Sequence, residues 1–179
     1  MIYQPRETSY PQSYNTKMNL AEVKNLTMKR VNPCPSGLEF FSGSCYHFSD
    51  DKLTWEQSQY ACIREGGHLV IIESQQEQNF LRMNVGNTDY HDSYWIGMTD
   101  MKTEGVWIWV DNTTLNDNTK YWDMNIGNSV WSPFPEPNDW EGKEDCALMG
   151  LHCSDQISCW IDFKCSNPCK RICESRAIL

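Results

Sequence analysis

The number of cysteines constrains this chain more than any other feature of its sequence. Nine cysteines occur in 179 residues, together with eight tryptophans. Such density in a small chain is typical of a disulfide-bonded protein that folds in an oxidising compartment. Zinc is the alternative, but no CxxC pair is present. Cys165, Cys169 and Cys173 are four residues apart, and His152 is the only histidine near them. The spacing therefore favours disulfides over a zinc site.

The charge of the chain is unevenly distributed. Residues 1–33 have five basic and two acidic side chains, a net charge of +3, whereas the whole chain has −9. The remainder therefore carries about −12. Phosphates are repelled by such a surface, so nucleic acid is a poor partner and cations are better ones.

Residues 1–33 are polar, and we interpret them as a mostly disordered linker or stalk before a domain at 34–176. The N-terminal stretch contains no apolar run that fits a signal peptide or a transmembrane helix. We therefore expect the outer part of a longer membrane protein, or a secreted protein whose true N-terminus is missing. Unconventional export is a third alternative. Asn25 and Asn112 begin Asn-X-Thr sequons and are candidate glycosylation sites.

Two helices are predicted in the first half of the domain. The first starts after the N-cap Thr54 and stops at Gly66–Gly67. Its predicted apolar face consists of Trp55, Tyr60, Ala61, Cys62 and Ile63. The second starts after Ser74, with Glu77 three residues later as a capping box. Its inward residues are predicted to be Phe80, Leu81 and Val85.

Short strands account for most of the remaining domain. The stretch "GLEFFSGSCYHF" indicates a hairpin closed by Cys34 and Cys45. Further strands are predicted in "LVII", "YWIGMTD", "VWIWVD", "CALMGL", "SCWIDF" and "RICE". Two helices with many short strands predict an α+β fold. The long polar stretch at 111–145 has no predicted element, and such loops are usually functional.

The end of this loop concentrates oxygen-bearing side chains. They are Glu136, Asn138, Asp139, Glu144 and Asp145. A hard divalent cation prefers carboxylate and amide oxygens of this kind. Pro137 stiffens the backbone, and a cis peptide bond before it would let both flanking side chains point the same way. A solvated acidic turn is the alternative interpretation.

Several segments together resemble a C-type lectin-like domain over about four fifths of the chain. The segment "WEQSQYACIREGGHLVIIESQQEQNFL" is similar to the two-helix half of that fold, and "WIGMTD" to its WIGL-type core strand. The "EPN" at 136–138 matches the mannose-type motif, and "WID" at 160–162 stands where the family has WND. "CSNPCKRICE" resembles the end of the framework.

The resemblance implies three disulfides, which spacing alone could not select. They are Cys34–Cys45, Cys62–Cys173 and Cys146–Cys165. Cys153, Cys159 and Cys169 remain, and an odd number implies one free thiol or one intermolecular bridge. Among these three we expect the pair Cys153–Cys159.

The resemblance also implies Ca²⁺ as the cofactor. The principal calcium site corresponds to Glu136, Asn138, Glu144 and Asp162. Ile161 is a departure, because the family has an asparagine ligand there and an isoleucine side chain offers no oxygen. The second calcium site corresponds to Asp100, Glu104, Asp139 and Asp145, with the Glu144 backbone.

The order Glu–Pro–Asn is the one that the family associates with mannose, GlcNAc and fucose, whereas Gln–Pro–Asp accompanies galactose. Carboxylates such as Glu136 accept hydrogen bonds from sugar hydroxyls, and amides such as Asn138 donate them. Trp140 is a candidate for packing on a sugar face. An insert at 124–135, with Trp131 and Phe134, is a second departure, and it either adds a contact or blocks access.

Two functions follow as hypotheses. The first is a calcium-dependent lectin for mannose-type glycans on a cell surface or in secretions, with homo-oligomers because weak sites rely on multivalency. The second is a lectin-like domain for a protein or lipid ligand, with calcium only structural, which Ile161 favours. An enzyme is not expected, because the four histidines are scattered and no nucleophile–base pair is visible.

Overall fold

The computed structural model of the protein describes residues 33–85, 92–124, 134–150 and 157–178. The predicted linker at 1–33 therefore lies, except for Pro33, outside the described residues. The same holds for Asn25, Trp131 and Cys153, and for most of the insert at 124–135.

The described residues form two α-helices and eight β-strands. The helices are α1, Trp55–Arg64, and α2, Gln75–Val85. The strands are β1 Glu39–Phe41, β2 Ser44–Phe48, β3 His68–Leu69, β4 Tyr94–Thr99, β5 Ile108–Trp109, β6 Cys146–Met149, β7 Trp160–Phe163 and β8 Lys170–Arg176. This is the predicted α+β class. Neither helix of this described part is long and apolar enough to span a membrane.

One sheet connects the strands in the order β1-β2-β8-β4-β6-β7, with β3 also paired to β8 and β5 to β4. The β4–β8 pair is parallel, with Tyr94 opposite Lys170. The other pairs are antiparallel. The hairpin β1–β2 agrees with its prediction, and β2 lies along β8 with Ser44 opposite Arg176. The first hairpin and the last strand of the domain are thus neighbours in the sheet.

Two predicted strands are shorter than expected. In "LVII" the strand ends at Leu69: the Val70 nitrogen still donates to the Ile172 carbonyl at 2.9 Å, but the Ile71 nitrogen donates to the Glu174 side chain at 3.4 Å. In "VWIWVD" the strand is Ile108–Trp109, because the Trp109 nitrogen donates to the Thr113 carbonyl at 2.8 Å and starts a turn. A bond to a distant side chain replaces the strand ladder in the first place, and a turn replaces it in the second.

Helix α1 begins at the predicted cap. Thr54 Oγ1 accepts from the Gln57 nitrogen at 3.3 Å, and Gln57 Oε1 accepts from the Thr54 nitrogen at 3.2 Å, which completes a capping box. The predicted apolar face was partly wrong, because Tyr60 is 65% and Ile63 54% exposed. The buried residues of the helix are Trp55, Ser58 and Cys62, which recur at helical spacing.

Helix α2 is capped by Ser74, whose Oγ accepts from the Glu77 nitrogen at 3.2 Å. The predicted return bond of the box is absent from the described contacts. The Glu77 side chain instead accepts from the Glu73 nitrogen at 2.9 Å and from the Tyr46 hydroxyl at 2.8 Å. Burial raises the pKa of the Glu77 carboxyl. Glu77 therefore connects α2 to β2. Leu81 and Val85 are buried as predicted, and Phe80 is partly buried.

The core lies on both sides of β7, whose side chains alternate in direction. Trp160 is fully buried among aromatic rings, with Trp109, Tyr121 and Trp122 at 5.1–5.8 Å between ring centroids. Ile161 and Phe163 pack against a second cluster that contains Trp55, Trp95 and Leu148. Because of this alternation, Asp162 lies on the same side of the strand as Trp160, whereas Ile161 and Phe163 lie on the other side.

The described residues contain the three disulfides that the resemblance implies, Cys34–Cys45, Cys62–Cys173 and Cys146–Cys165. Cys165 and Cys173 are therefore unavailable to zinc as thiolates. Cys159 is also disulfide-bonded, and its expected partner Cys153 lies outside the described residues. Cys169 has a free, buried thiol, and burial raises its pKa to about 11.

Candidate functional site

The acidic loop folds back onto the end of β7 through one buried carboxylate. Asp162 is 3% exposed. Its oxygens accept from the Asn138 nitrogen at 3.0 Å and from the Asp139 nitrogen at 2.6 Å. These partners are 23 and 24 residues away in sequence. A carboxylate that holds backbone N–H groups fixes the loop's shape, so Asp162 positions the residues around Pro137.

The side chains on either side of Pro137 lie together. Asn138 Nδ2 donates to Glu136 Oε2 at 2.7 Å, and the Glu136–Pro137 peptide bond is cis. The Glu136 nitrogen donates to the Asp123 carbonyl at 2.9 Å, and the Asp123 nitrogen donates to the Trp160 carbonyl at 2.8 Å. The motif is thus attached to the aromatic core through Asp123, which sequence reasoning missed. In the sequence, the only indication of this role was the position of Asp123 directly after the aromatic pair Tyr121–Trp122.

Glu144 closes the loop. The Glu144 nitrogen donates to Asp139 Oδ1 at 3.1 Å, and Glu144 Oε2 accepts from the Trp140 nitrogen at 3.2 Å. Burial, together with the negative charge of Asp162, raises the pKa of the Glu144 carboxyl to about 7. The loop therefore brings negatively charged carboxylates close together, and their repulsion favours the protonated form of Glu144.

A second acidic group lies at the end of β4. One carboxylate oxygen from each of Asp100, Glu104 and Asp145 lies within 4.8 Å of the others. Asp100 and Asp145 are brought together by the backbone, because the Asp100 nitrogen donates to the Asp145 carbonyl at 3.1 Å. Asp139, the fourth expected member, is close enough for its charge to raise the pKa of Glu104, after burial and Asp100.

Asp100 itself is only half satisfied. Its Oδ2 accepts from the Gly105 nitrogen at 2.8 Å, whereas its Oδ1 is buried without a hydrogen-bond partner among the described residues. Asp100 is 1% exposed, and this burial raises the pKa of its carboxyl. A buried, unpaired carboxylate oxygen is costly unless a cation binds it. The all-oxygen donor set therefore fits calcium better than a soft metal.

The sequence around this site matches a known protein family. The family described as the Lectin C-type domain matches residues 51–175, which include both acidic groups and most of the sheet. The chain belongs to the C-type lectin domain family. The calcium that family members generally bind has a matching set of oxygen donors here.

Individual members of the family are similar over the same region. C-type lectin domain family 4 member E from Homo sapiens is 38% identical over 143 residues, which are 80% of this chain and 59% of the relative. This chain therefore spans about three fifths of that relative's length. The carbohydrate-recognition domain of the mouse scavenger receptor C-type lectin is 30% identical, with a TM-score of 0.64 over 80% of this chain and 97% of that one.

A third similar protein was solved together with a glycan. It is the cow C-type carbohydrate-recognition domain of CD23, in the presence of a GlcNAc2Man3 oligosaccharide. It is 32% identical and has a TM-score of 0.64, covering 83% of this chain and 99% of that chain. These likenesses extend across the whole described C-type lectin domain rather than one motif.

Ile161 departs from the family motif and faces away from the acidic loop. It packs against the second apolar cluster, opposite Leu148 of β6 in register. At this position this C-type lectin domain therefore has apolar packing in place of a polar side chain that could face the loop. The neighbouring Asp162 retains its contacts with the loop.

A groove of about 510 Å³ adjoins the acidic loop of this C-type lectin domain. It shares Glu136 and Pro137 with the site. Its other walls are mainly apolar and include Val106, Leu115, Trp122 and Met124. In the sequence, the only indication of this groove was the presence of isolated apolar residues within a polar stretch. Nearby, the half-exposed rings of Phe134 and Trp140 lie 6.5 Å apart.

Proposed function

We propose that this domain is a calcium-dependent lectin for glycans with a mannose-type arrangement of hydroxyls. One observation carries the proposal: Glu136 and Asn138 lie together beside Pro137, within a loop fixed by Asp162. Four residues would hold the principal calcium: Glu136, Asn138, Glu144 and Asp162. The order of acid before amide supports mannose, GlcNAc or fucose rather than galactose.

The second calcium would be held by Asp100, Glu104, Asp139 and Asp145. The buried, unpaired Asp100 Oδ1 supports this assignment. Burial and, after it, repulsion between neighbouring carboxylates raise the pKa values of Asp100 and Glu104, and an ion there would offset both effects. Because Asp139 and Asp145 also belong to the loop, such an ion would make the loop that forms the sugar site more rigid.

Recognition of the sugar divides between calcium and protein. Bound calcium supplies a centre that coordinates two neighbouring hydroxyls in place of water. The Glu136 carboxylate accepts hydrogen bonds from those hydroxyls, and the Asn138 amide donates to them. Trp140, which is 51% exposed, offers an apolar ring to a sugar face.

The three disulfides support a place outside the reducing cytosol. We propose that the domain acts at a cell surface, as the outer part of a membrane protein, or in secretions. Because a single site of this kind binds weakly, several copies acting at once would bind a glycan more tightly, and we therefore propose a homo-oligomer. The role is binding rather than catalysis, and nucleic acid is not among its partners because the domain is acidic.

Ile161 supports a second candidate function. Without the asparagine of WND, the principal site lacks one ligand and one amide donor, and a hydrogen bond to a charged or metal-bound group contributes about 1.5–3 kcal/mol. That loss is roughly tenfold or more in affinity. In this alternative the domain binds a protein or lipid, and calcium only shapes the loop.

Retention of the full chain on a mannose resin tests the proposal. We expect retention in calcium, release by EDTA, and loss of retention in the variant Glu136→Gln. Asp117→Asn is the matched control, because Asp117 is an exposed acid of the same stretch that pairs with Lys120. Flow-through of the unmodified chain in calcium would contradict the mannose hypothesis and favour the second candidate.

A further inference from the structure

The sequon at Asn112 lies on an exposed turn, two residues before Thr114, which lines the groove that adjoins Glu136. We propose that Asn112 carries an N-linked oligosaccharide, which stands at the rim of this groove and limits the approach of large ligands. The modification is independent of what the domain binds. The limit on large ligands rests on the proposed function.

The turn presents the Asn112 side chain to solvent. Its backbone has a φ of +68°, a conformation that asparagine and glycine tolerate best, and its nitrogen donates to the Trp109 carbonyl at 2.8 Å. Asp111 Oδ1 accepts from both the nitrogen and the hydroxyl of Thr113, at 2.8 and 2.6 Å. The turn is thus held by its neighbours, while the exposed Asn112 amide has no hydrogen bond within the described structure. An attached sugar would displace no contact.

The chemistry needs one co-reactant, an oligosaccharide carried on a lipid pyrophosphate, and the transferase of the secretory route. A bond forms between Asn112 Nδ2 and the anomeric carbon of the first sugar. The bond between that carbon and the pyrophosphate oxygen breaks, and the lipid pyrophosphate leaves with the electron pair. The amide nitrogen loses one proton. The same oxidising compartment forms the disulfides of the domain.

The position of the sequon connects the glycan to ligand access. Thr114, the third residue of the sequon, lines the groove together with Glu136 and Pro137. A hydrated oligosaccharide attached two residues away is large enough to reach the space in front of this rim. A free monosaccharide can pass it, whereas a dense polymer of mannose must push it aside. The glycan therefore selects against crowded ligands without touching the ion-binding residues.

The first experiment measures the mass of the full chain secreted from eukaryotic cells. We expect Asn112→Gly to lose the mass of one N-glycan, and glycine suits the positive φ of this position. Thr114→Val should lose the same mass while retaining Asn112, and Thr114→Ser should retain the glycan. Asn25→Gln is the control for the other sequon. Equal masses for the unmodified chain and Asn112→Gly would overturn the proposal.

The second experiment compares the unmodified chain with Asn112→Gly on two ligands in calcium, methyl mannoside and mannan. Removal of the glycan should raise binding to mannan by roughly twofold or more, because more sites engage at once. Binding to methyl mannoside should stay unchanged. Equal binding of both proteins to mannan would overturn the screening role. Binding of neither ligand by either protein would overturn the proposed function and the screening role together, while the mass comparison still decides the modification.

Discussion

At the scale of single residues, Ile161 separates this loop from the WND arrangement in two ways. It supplies no oxygen, and it uses its side chain to pack against the cluster around Trp95 and Leu148. The resemblance predicted the first consequence from sequence. The second could not be predicted, because it depends on the direction of the side chain relative to a sheet whose strands are far apart in the chain.

We expect the substitution Ile161→Asn to lower the free energy of unfolding by about 2 kcal/mol in EDTA, because the amide would be partly buried among apolar side chains that offer no hydrogen bond. Urea unfolding measures this loss. Ile161→Val is the control and should cost about 1 kcal/mol, because it keeps an apolar side chain. A stability of Ile161→Asn equal to that of the unmodified chain would show that position 161 faces solvent or the loop.

The raised pKa of Glu144 gives the calcium-free domain a dependence on pH. Its folded pKa, about 7, lies above the usual value for glutamate, so the folded state holds a proton more tightly than the unfolded state. The stability from this group is therefore complete below the unfolded pKa, near 4.5, and is lost as the pH rises through 7. In EDTA, we expect the melting temperature to fall between pH 5 and pH 8, roughly the window that these two pKa values set.

Glu144→Gln removes the titrating group and should flatten this part of the pH profile in EDTA. Glu141→Gln is the matched control. Glu141 is an exposed acid of the same loop, and its hydrogen bonds to Lys164 and Lys143 lower its pKa. An unchanged profile in Glu144→Gln would assign the dependence to another carboxyl group.

At the scale of elements, the sequence predicted both helices but not what their side chains contact. The caps Thr54 and Ser74 act through residues three positions away, so a short stretch of sequence defines them. Glu77 instead contacts Tyr46, 31 residues away, and no local pattern indicates that partner. Tyr60 and Ile63 remain exposed because Trp55 and Cys62 already define the buried side of α1.

Strand β4 contains a glycine whose role is steric. A Cβ at Gly97 would lie 2.6 Å from the Leu69 carbonyl oxygen and 3.0 Å from a methyl of Val110. We expect Gly97→Ala to lower the free energy of unfolding by about 3 kcal/mol, because the backbone at Leu69 and Val70 and the side chain of Val110 would have to move. Thermal unfolding measures it. Met98→Leu, in the same buried strand, conserves volume and should cost about 1 kcal/mol. Equal stability of the two variants would contradict this close approach.

At the scale of the whole molecule, the acidic sites depend on contacts that span much of the sequence. Asp162 holds Asn138 and Asp139 from 24 and 23 residues away, and Asp145 meets Asp100 at the ends of the neighbouring strands β6 and β4. Residue types in the loop predicted oxygen donors for a cation. Their assignment to two separate groups came from the family resemblance, since spacing within one loop cannot show which distant strand end lies beside it.

Among the three described disulfides, one closes a far longer loop than the others. Cys62 and Cys173 are 111 residues apart in sequence, and the bridge connects α1 to β8. We expect the double variant Cys62→Ala/Cys173→Ala to lose about 4–5 kcal/mol, because the unfolded chain gains conformational freedom. Cys34→Ala/Cys45→Ala, with a separation of 11, should lose only about 3 kcal/mol. Urea unfolding under non-reducing conditions compares them, and a reversed order would contradict the loop-length account.

The pairing of β2 with β8 also determines how the domain responds to a mechanical load. Residue 33 precedes β1 and residue 178 follows β8, and the Ala177 nitrogen donates to the Gly43 carbonyl at 2.9 Å. A pull applied between these two ends is borne by the β2–β8 ladder. It does not run through β6 or β7, the strands at the far end of the sheet order beside the acidic loop. Behind this ladder the Cys62–Cys173 bridge carries the load covalently, so tension on a tethered copy would leave the acidic loop undisturbed even after the ladder had opened.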